Sequence, residues 1–154
     1  MNTPNRRPSR VLFLDFDGCL HPVTHGATLD GPALSTVHFG WLPLLGRALQ
    51  SHDDVVVVVH STWRYEYRID ELREVLGVVG RRVVAATPPG PRYESIKWWL
   101  HTNPSFRDYR ILDDDPREFG DPLPPELILC DPSTGVSAPE VLAALSEWLG
   151  EAKS

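Results

Sequence analysis

Cysteine is almost absent: the 154 residues hold two, Cys19 and Cys130. Two thiols cannot build a disulfide framework or a four-cysteine zinc site, so a reducing, cytoplasmic setting is expected. No run of ~18 apolar residues occurs, and no membrane span is expected. The opening MNTPNRRPSR carries charge but lacks an apolar segment behind it long enough for a signal peptide. Residues 1–9 read as a flexible lead into a single domain over 10–150. Basic residues are outnumbered, with 15 Lys+Arg against 21 Asp+Glu and a net charge of −6. That balance disfavours an extended, nonspecific grip on nucleic-acid phosphates, although it leaves room for a local basic patch. Internal repeats and low-complexity tracts are missing too. So are the P-loop, GxSxG, CxxC and HExxH motifs, which removes several common enzyme classes.

What remains is an ordinary globular composition, 42% hydrophobic and 23% charged. A chain of this length buries roughly 68–70% of its unfolded surface and supports a core without staples. Five short apolar runs punctuate it: Val11–Leu14, Val55–Val59, Val83–Ala86, Arg110–Leu112 and Leu127–Leu129. They are continuous rather than alternating, as strands covered on both faces should be. Helical periodicity fills about 41–51, 65–76, 92–102 and 138–149. Gly77 is placed to end the second helix, and Ser137-Ala-Pro-Glu140 reads as a capping box for the last. This alternation predicts a three-layer α/β fold: a Rossmann-like parallel sheet of about five strands with helices on both faces.

Ligands of such sheets bind beyond the carboxyl ends of the strands. Asp15-Phe-Asp17-Gly18 follows the first run, His60-Ser61-Thr62-Trp63-Arg64 the second, and Asp113-Asp114-Asp115 the fourth. Asp15 and Asp17 should point to one side of an extended segment, and with Asp113 and Asp114 four carboxylates should converge. At ~4 Å and an effective dielectric of ~20, each like-charged pair costs about 4 kcal/mol. Such a cluster calls for protons or a hard cation, and oxygen-only ligands favour magnesium. Ser61 and Thr62, at a strand end, suit a phosphate oxygen or the cap of the following helix. For a cation facing the phosphate, Arg92 lies at the start of its helix over the face formed by Ile96, Trp99 and Leu100. Lys97 falls to one side, and both remain candidates.

Taken in order, LDFDG, a strand ending in Ser61-Thr62, a basic residue on a helix, and ILDDD resemble the four motifs of haloacid dehalogenase-like phosphatases. The STWR stretch and the R-x-x-x-I-x-x-W-L pattern are similar to a small branch found as a domain in RNA-repair-related proteins. The resemblance implies Asp15 as nucleophile and Asp17 as general acid, then base. It implies that Ser61 hydrogen-bonds the phosphoryl group, with the backbone around Thr62 assisting. It also implies a magnesium site using Asp15, the Asp17 backbone carbonyl, Asp113 and Asp114. Where the family usually shows lysine at the helix start, this chain has Arg92. The loops give no room for a large cap: Thr87–Pro91 is short, and the stretch from Gly18 to about Gly40 looks loop-like. An uncapped site suits a phosphate on a macromolecular end or on a protein, or capping by a partner subunit.

Rival readings are a receiver-type phosphoacceptor domain and a non-catalytic binding module of the same fold. In receivers the acidic pair comes early and the acceptor stands alone later, whereas here DxD comes first and DDD late. His21, His25 and His38 could form a zinc site, but no regular element fixes their spacing. Trp98 and Trp99 read as packing residues. Arg64 could contact a substrate phosphate or pair with surface carboxylates.

Overall fold

The computed structural model describes residues 7–22 and 39–151. His25, His38 and most of the stretch between Gly18 and Gly40 lie outside the described residues, as does most of the N-terminal lead. Five strands form one all-parallel sheet: β1 (Arg10–Leu14), β2 (Val55–Val59), β3 (Val83–Ala86), β4 (Asp108–Asp113) and β5 (Leu127–Leu129). Their order is β3-β2-β1-β4-β5. The connections carry α1 (Leu42–Leu49), α2 (Ile69–Val75), α3 (Gly77–Gly80), α4 (Arg92–Thr102) and the final α5 (Pro139–Glu151).

The unbroken apolar runs have a simple cause. Leu12, Leu14, Val55, Val57 and Val59 face a core built with α1, α2, α3 and α5. Their alternates Val11, Phe13, Val56 and Val58 face a second core, where α4 supplies Ile96 and Trp99. Val11–Leu14 of β1 and all of β2 therefore carry an apolar side chain at every position. Trp99 meets Phe13 edge-on at 5.7 Å, whereas Trp98 is exposed on the outside of α4.

Two helix expectations need correction. The second helix does not run from residue 65; a 3₁₀ turn over Thr62–Tyr65 comes first, and α2 begins at Ile69. Trp63 is buried there and stacks on Tyr67 at 5.5 Å, so tertiary packing overrides helical periodicity. Gly77 does end α2, in the left-handed region with φ +55°. Ser137 does not cap α5: its hydroxyl donates to the Thr134 carbonyl inside a separate 3₁₀ turn. Among the described residues, no helix is long and apolar enough to cross a membrane.

The amino-terminal pole of the sheet is braced by a buried charge. Arg10 donates through Nε and Nη2 to Asp54 at 2.7 and 3.0 Å, and through Nη1 to the Trp148 and Leu149 carbonyls near the end of α5. One side chain thus ties β1 to the start of β2 and to the last helix. The Arg10 guanidinium holds the Asp54 carboxyl below its ordinary value of 3.8, at about 2. Breaking a buried pair strands a charge, so Arg10→Ala should cost about 3–5 kcal/mol in denaturant melts. A lowered carboxyl pKa stabilises the fold above the unfolded value and loses that contribution as pH falls through the folded one. Asp54→Asn should therefore flatten the stability–pH curve between about pH 4 and pH 2.

Candidate active site

The strand order reverses between β1 and β4, the place where open parallel sheets form a crevice at their carboxyl ends. Asp15 leaves β1 there, its N–H donating to the Leu112 carbonyl at 3.1 Å. Asp113 ends β4, and its carbonyl accepts from Cys130 N–H at 2.8 Å. Backbone pairing thus fixes both carboxylates relative to each other. Oxygens of Asp15, Asp113 and Asp114 all lie within 4.8 Å of one another. Gly18 makes room for the third: its φ is +79°, and a Cβ there would stand 2.4 Å from Asp114 Oδ2. Any side chain at this position would be strained and would collide with the cluster.

Burial, followed by repulsion from Asp113, pushes the Asp15 carboxyl well above its ordinary range. Burial lifts Asp113 to about 6, against the pull of Arg92. Asp114 is raised for the same first reason. Arg92, the first residue of α4, places Nη1 2.8 and 2.9 Å from the two Asp113 oxygens and 3.4 Å from Asp15 Oδ2. Lys97 is not brought to this cluster. Five residues on, it is rotated about 140° around the helix, and its Nζ lies 4.5 Å from the Tyr93 ring centroid. Of the two cations, the fold delivers Arg92.

Asp17 departs from the expected convergence of four carboxylates. Its Oδ1 lies 2.6 Å from His21 Nε2, and its Oδ2 accepts from Trp63 Nε1 at 3.3 Å. The side chain lines the cleft but stands outside the three-carboxylate group. Ser61 is buried, and its Oγ accepts from Trp63 N–H at 3.2 Å, capping the 3₁₀ turn rather than α2. Its own hydroxyl proton can still be donated. Thr62 is exposed at the start of that turn.

Arg64 has backbone partners that the sequence does not reveal, and His60 is a buried residue that the sequence left unassigned. Among the described residues, Arg64 forms no ion pair with a surface carboxylate. It donates to the carbonyls of His60, Ser61 and Thr87 at 2.7, 2.8 and 3.0 Å, strapping the Ser61 turn to the end of β3. The fully buried His60 donates from Nε2 to the Leu112 carbonyl at 3.1 Å, behind Asp113. Burial lowers its pKa to about 3, so it is neutral and does not offset the cluster's charge. The partners of the two His21 ring nitrogens include Asp17 and the Phe39 N–H, and the other two histidines of the suggested zinc site, His25 and His38, lie outside the described residues.

The cleft above this floor has a volume of about 750 Å³, with Asp114, Arg117 and Ser133 on its rim. It is therefore much larger than a phosphate group. An all-oxygen donor set of three carboxylates fits a hard divalent cation better than zinc.

A heme oxygenase from Xanthomonas campestris pv. campestris (strain 8004) is 42% identical over 57 residues. The match covers 37% of this chain and 34% of that protein, so the chain spans about a third of the relative's length. A much longer match covers residues 11–141, from the second residue of β1 into α5, and takes in every motif described above. By that match the chain belongs to the family described as the HAD domain in Swiss Army Knife RNA repair proteins.

Proposed function

We propose that this domain is a magnesium-dependent phosphatase that works through an aspartyl-phosphate on Asp15, on phosphate groups at exposed ends such as those of RNA. The observation that carries the reading is the division of labour among the carboxylates. Asp15 sits on the floor beside Arg92 and Asp113, while Asp17 is held apart from them at the cleft wall. This separation supports a reading in which one carboxylate attacks and another transfers protons. The family's description supplies the RNA context, and the open cleft suits a bulky leaving group.

The reaction is a double displacement. Asp15 Oδ attacks phosphorus, the bond from phosphorus to the leaving oxygen breaks, and the Asp17 carboxyl gives that oxygen its proton. Asp17, now ionised, takes a proton from water as the water oxygen attacks the phosphoryl group. The Asp15–phosphorus bond breaks and inorganic phosphate leaves. Arg92 offsets charge on Asp15 and the phosphoryl oxygens, and the Ser61 hydroxyl donates to one of those oxygens. Asp15, Asp113, Asp114 and the Asp17 backbone carbonyl would hold the magnesium ion, which when bound neutralises the cluster and the phosphoryl charge.

Three outcomes test this reading. Magnesium at ~100 times its dissociation constant should add about 2.7 kcal/mol, raising the melting point by roughly 5–10 °C over an EDTA control. Identical melting points would remove the metal site. With p-nitrophenyl phosphate, Asp15→Asn should lose at least about a thousandfold in turnover, and Asp17→Asn roughly 10²–10⁴-fold. Near-native turnover by Asp15→Asn would refute the nucleophile. Arg92→Ala should lower kcat/KM by about a hundredfold or more, whereas Lys97→Ala should stay within about twofold. The reverse pattern would mean that Lys97 supplies the cation.

A further inference from the structure

Asp17 sits in a tight turn in which Gly18 N–H donates to the His21 carbonyl at 2.8 Å. That turn returns the His21 ring to the carboxylate four residues earlier. The ring is 3% exposed and packed against Phe39 and Trp63, with centroids 5.1 and 5.9 Å away. His21 Nδ1 accepts the Phe39 N–H at 3.2 Å and therefore carries no proton. In the neutral ring the proton sits on Nε2, which faces Asp17 Oδ1 at 2.6 Å. Phe39 holds φ +62°, a region bulky residues avoid, and this unusual backbone presents its N–H to the imidazole. Trp63 Nε1–H holds the other Asp17 oxygen at 3.3 Å.

We propose that His21 is a positioning residue: the relay from Phe39 N–H through the imidazole to Asp17 holds that carboxyl at the cleft wall. This rests on Asp17 serving as acid and base in the reaction above. The need for a tether follows from the neighbouring charges. A loose carboxylate beside the Asp15–Asp113–Asp114 group would be drawn to any cation bound there and would spend its lone pairs on it. With an N–H donor on each oxygen, Asp17 is held in its rotamer at the wall of the cleft, where the leaving oxygen and the attacking water arrive. His21 touches neither; it acts through Asp17.

A double-mutant cycle with p-nitrophenyl phosphate and magnesium tests this. His21→Ala should lower kcat by roughly 10- to 100-fold and leave KM within about twofold, since proton transfer rather than binding is impaired. His21→Gln, which can offer an amide N–H, should recover part of the loss. In an Asp17→Asn background, His21→Ala should change kcat by less than about twofold, because the group it positions no longer carries a proton. An equal loss in both backgrounds, or a KM rising in step with the loss, overturns the proposal while leaving Asp17 as acid and base. Wild-type turnover by Asp17→Asn overturns both. Should His21→Ala fail to fold, ¹⁵N NMR of the wild-type protein still decides: an Nε2-protonated His21 supports the relay, and an Nδ1-protonated ring refutes it.

Discussion

Three carboxylates forced together at the ends of two adjacent parallel strands are the constraint on which the rest of the site depends. Asp15 and Asp113 are buried and fixed by backbone pairing, so they cannot relax away from each other. Asp114 is wedged in where only a glycine at position 18 leaves space. Three carboxylates against one guanidinium leave a formal excess of two negative charges, the charge of one divalent cation. Burial pushes all three carboxyls up from their ordinary value, so holding them together here disfavours their ionised forms.

The opposite pole of the same sheet solves its charge problem internally. Arg10 and Asp54 pair one to one, and the Trp148 and Leu149 carbonyls near the end of α5 accept from Nη1 of the guanidinium. That pair is satisfied by the protein alone and stabilises the fold. The carboxyl-end cluster is under-compensated, a pattern that costs stability and is common at functional sites. Arg64 and His60 belong with the bracing. Their hydrogen bonds to carbonyls around the site keep the Ser61 turn and the end of β4 in register.

Much of this was legible in the sequence because a parallel sheet covered on both faces leaves a continuous apolar trace, seen most plainly in Val55–Val59. Residues just beyond those traces fall on one edge of the sheet, which placed Asp15, Ser61 and Asp113 without further information. A helical wheel kept both Arg92 and Lys97 open, and the structure separates them, with Arg92 on Asp113 and Lys97 over the Tyr93 ring. The position of Asp17 was not readable. Its tether depends on Trp63, 46 residues away, and on the backbone of Phe39, 18 residues beyond His21. Alternation along β1 predicts that Asp17 joins Asp15, but the turn at Gly18 and two nonlocal donors turn it aside. The same packing of Trp63 broke the expected helix from residue 65, so one buried indole accounts for both departures.

The most direct measurement of the central claim is chemical trapping of the phosphorylated protein. The domain is mixed with magnesium and a phosphomonoester, quenched in acid within the first turnover, digested, and mapped by mass spectrometry. One phosphoryl group, labile to hydroxylamine, is expected on Asp15, in greater amount when Asp17→Asn slows its hydrolysis. Turnover with no label on the Asp15 peptide, or a label on Asp17, Asp113 or Asp114 instead, would contradict the account.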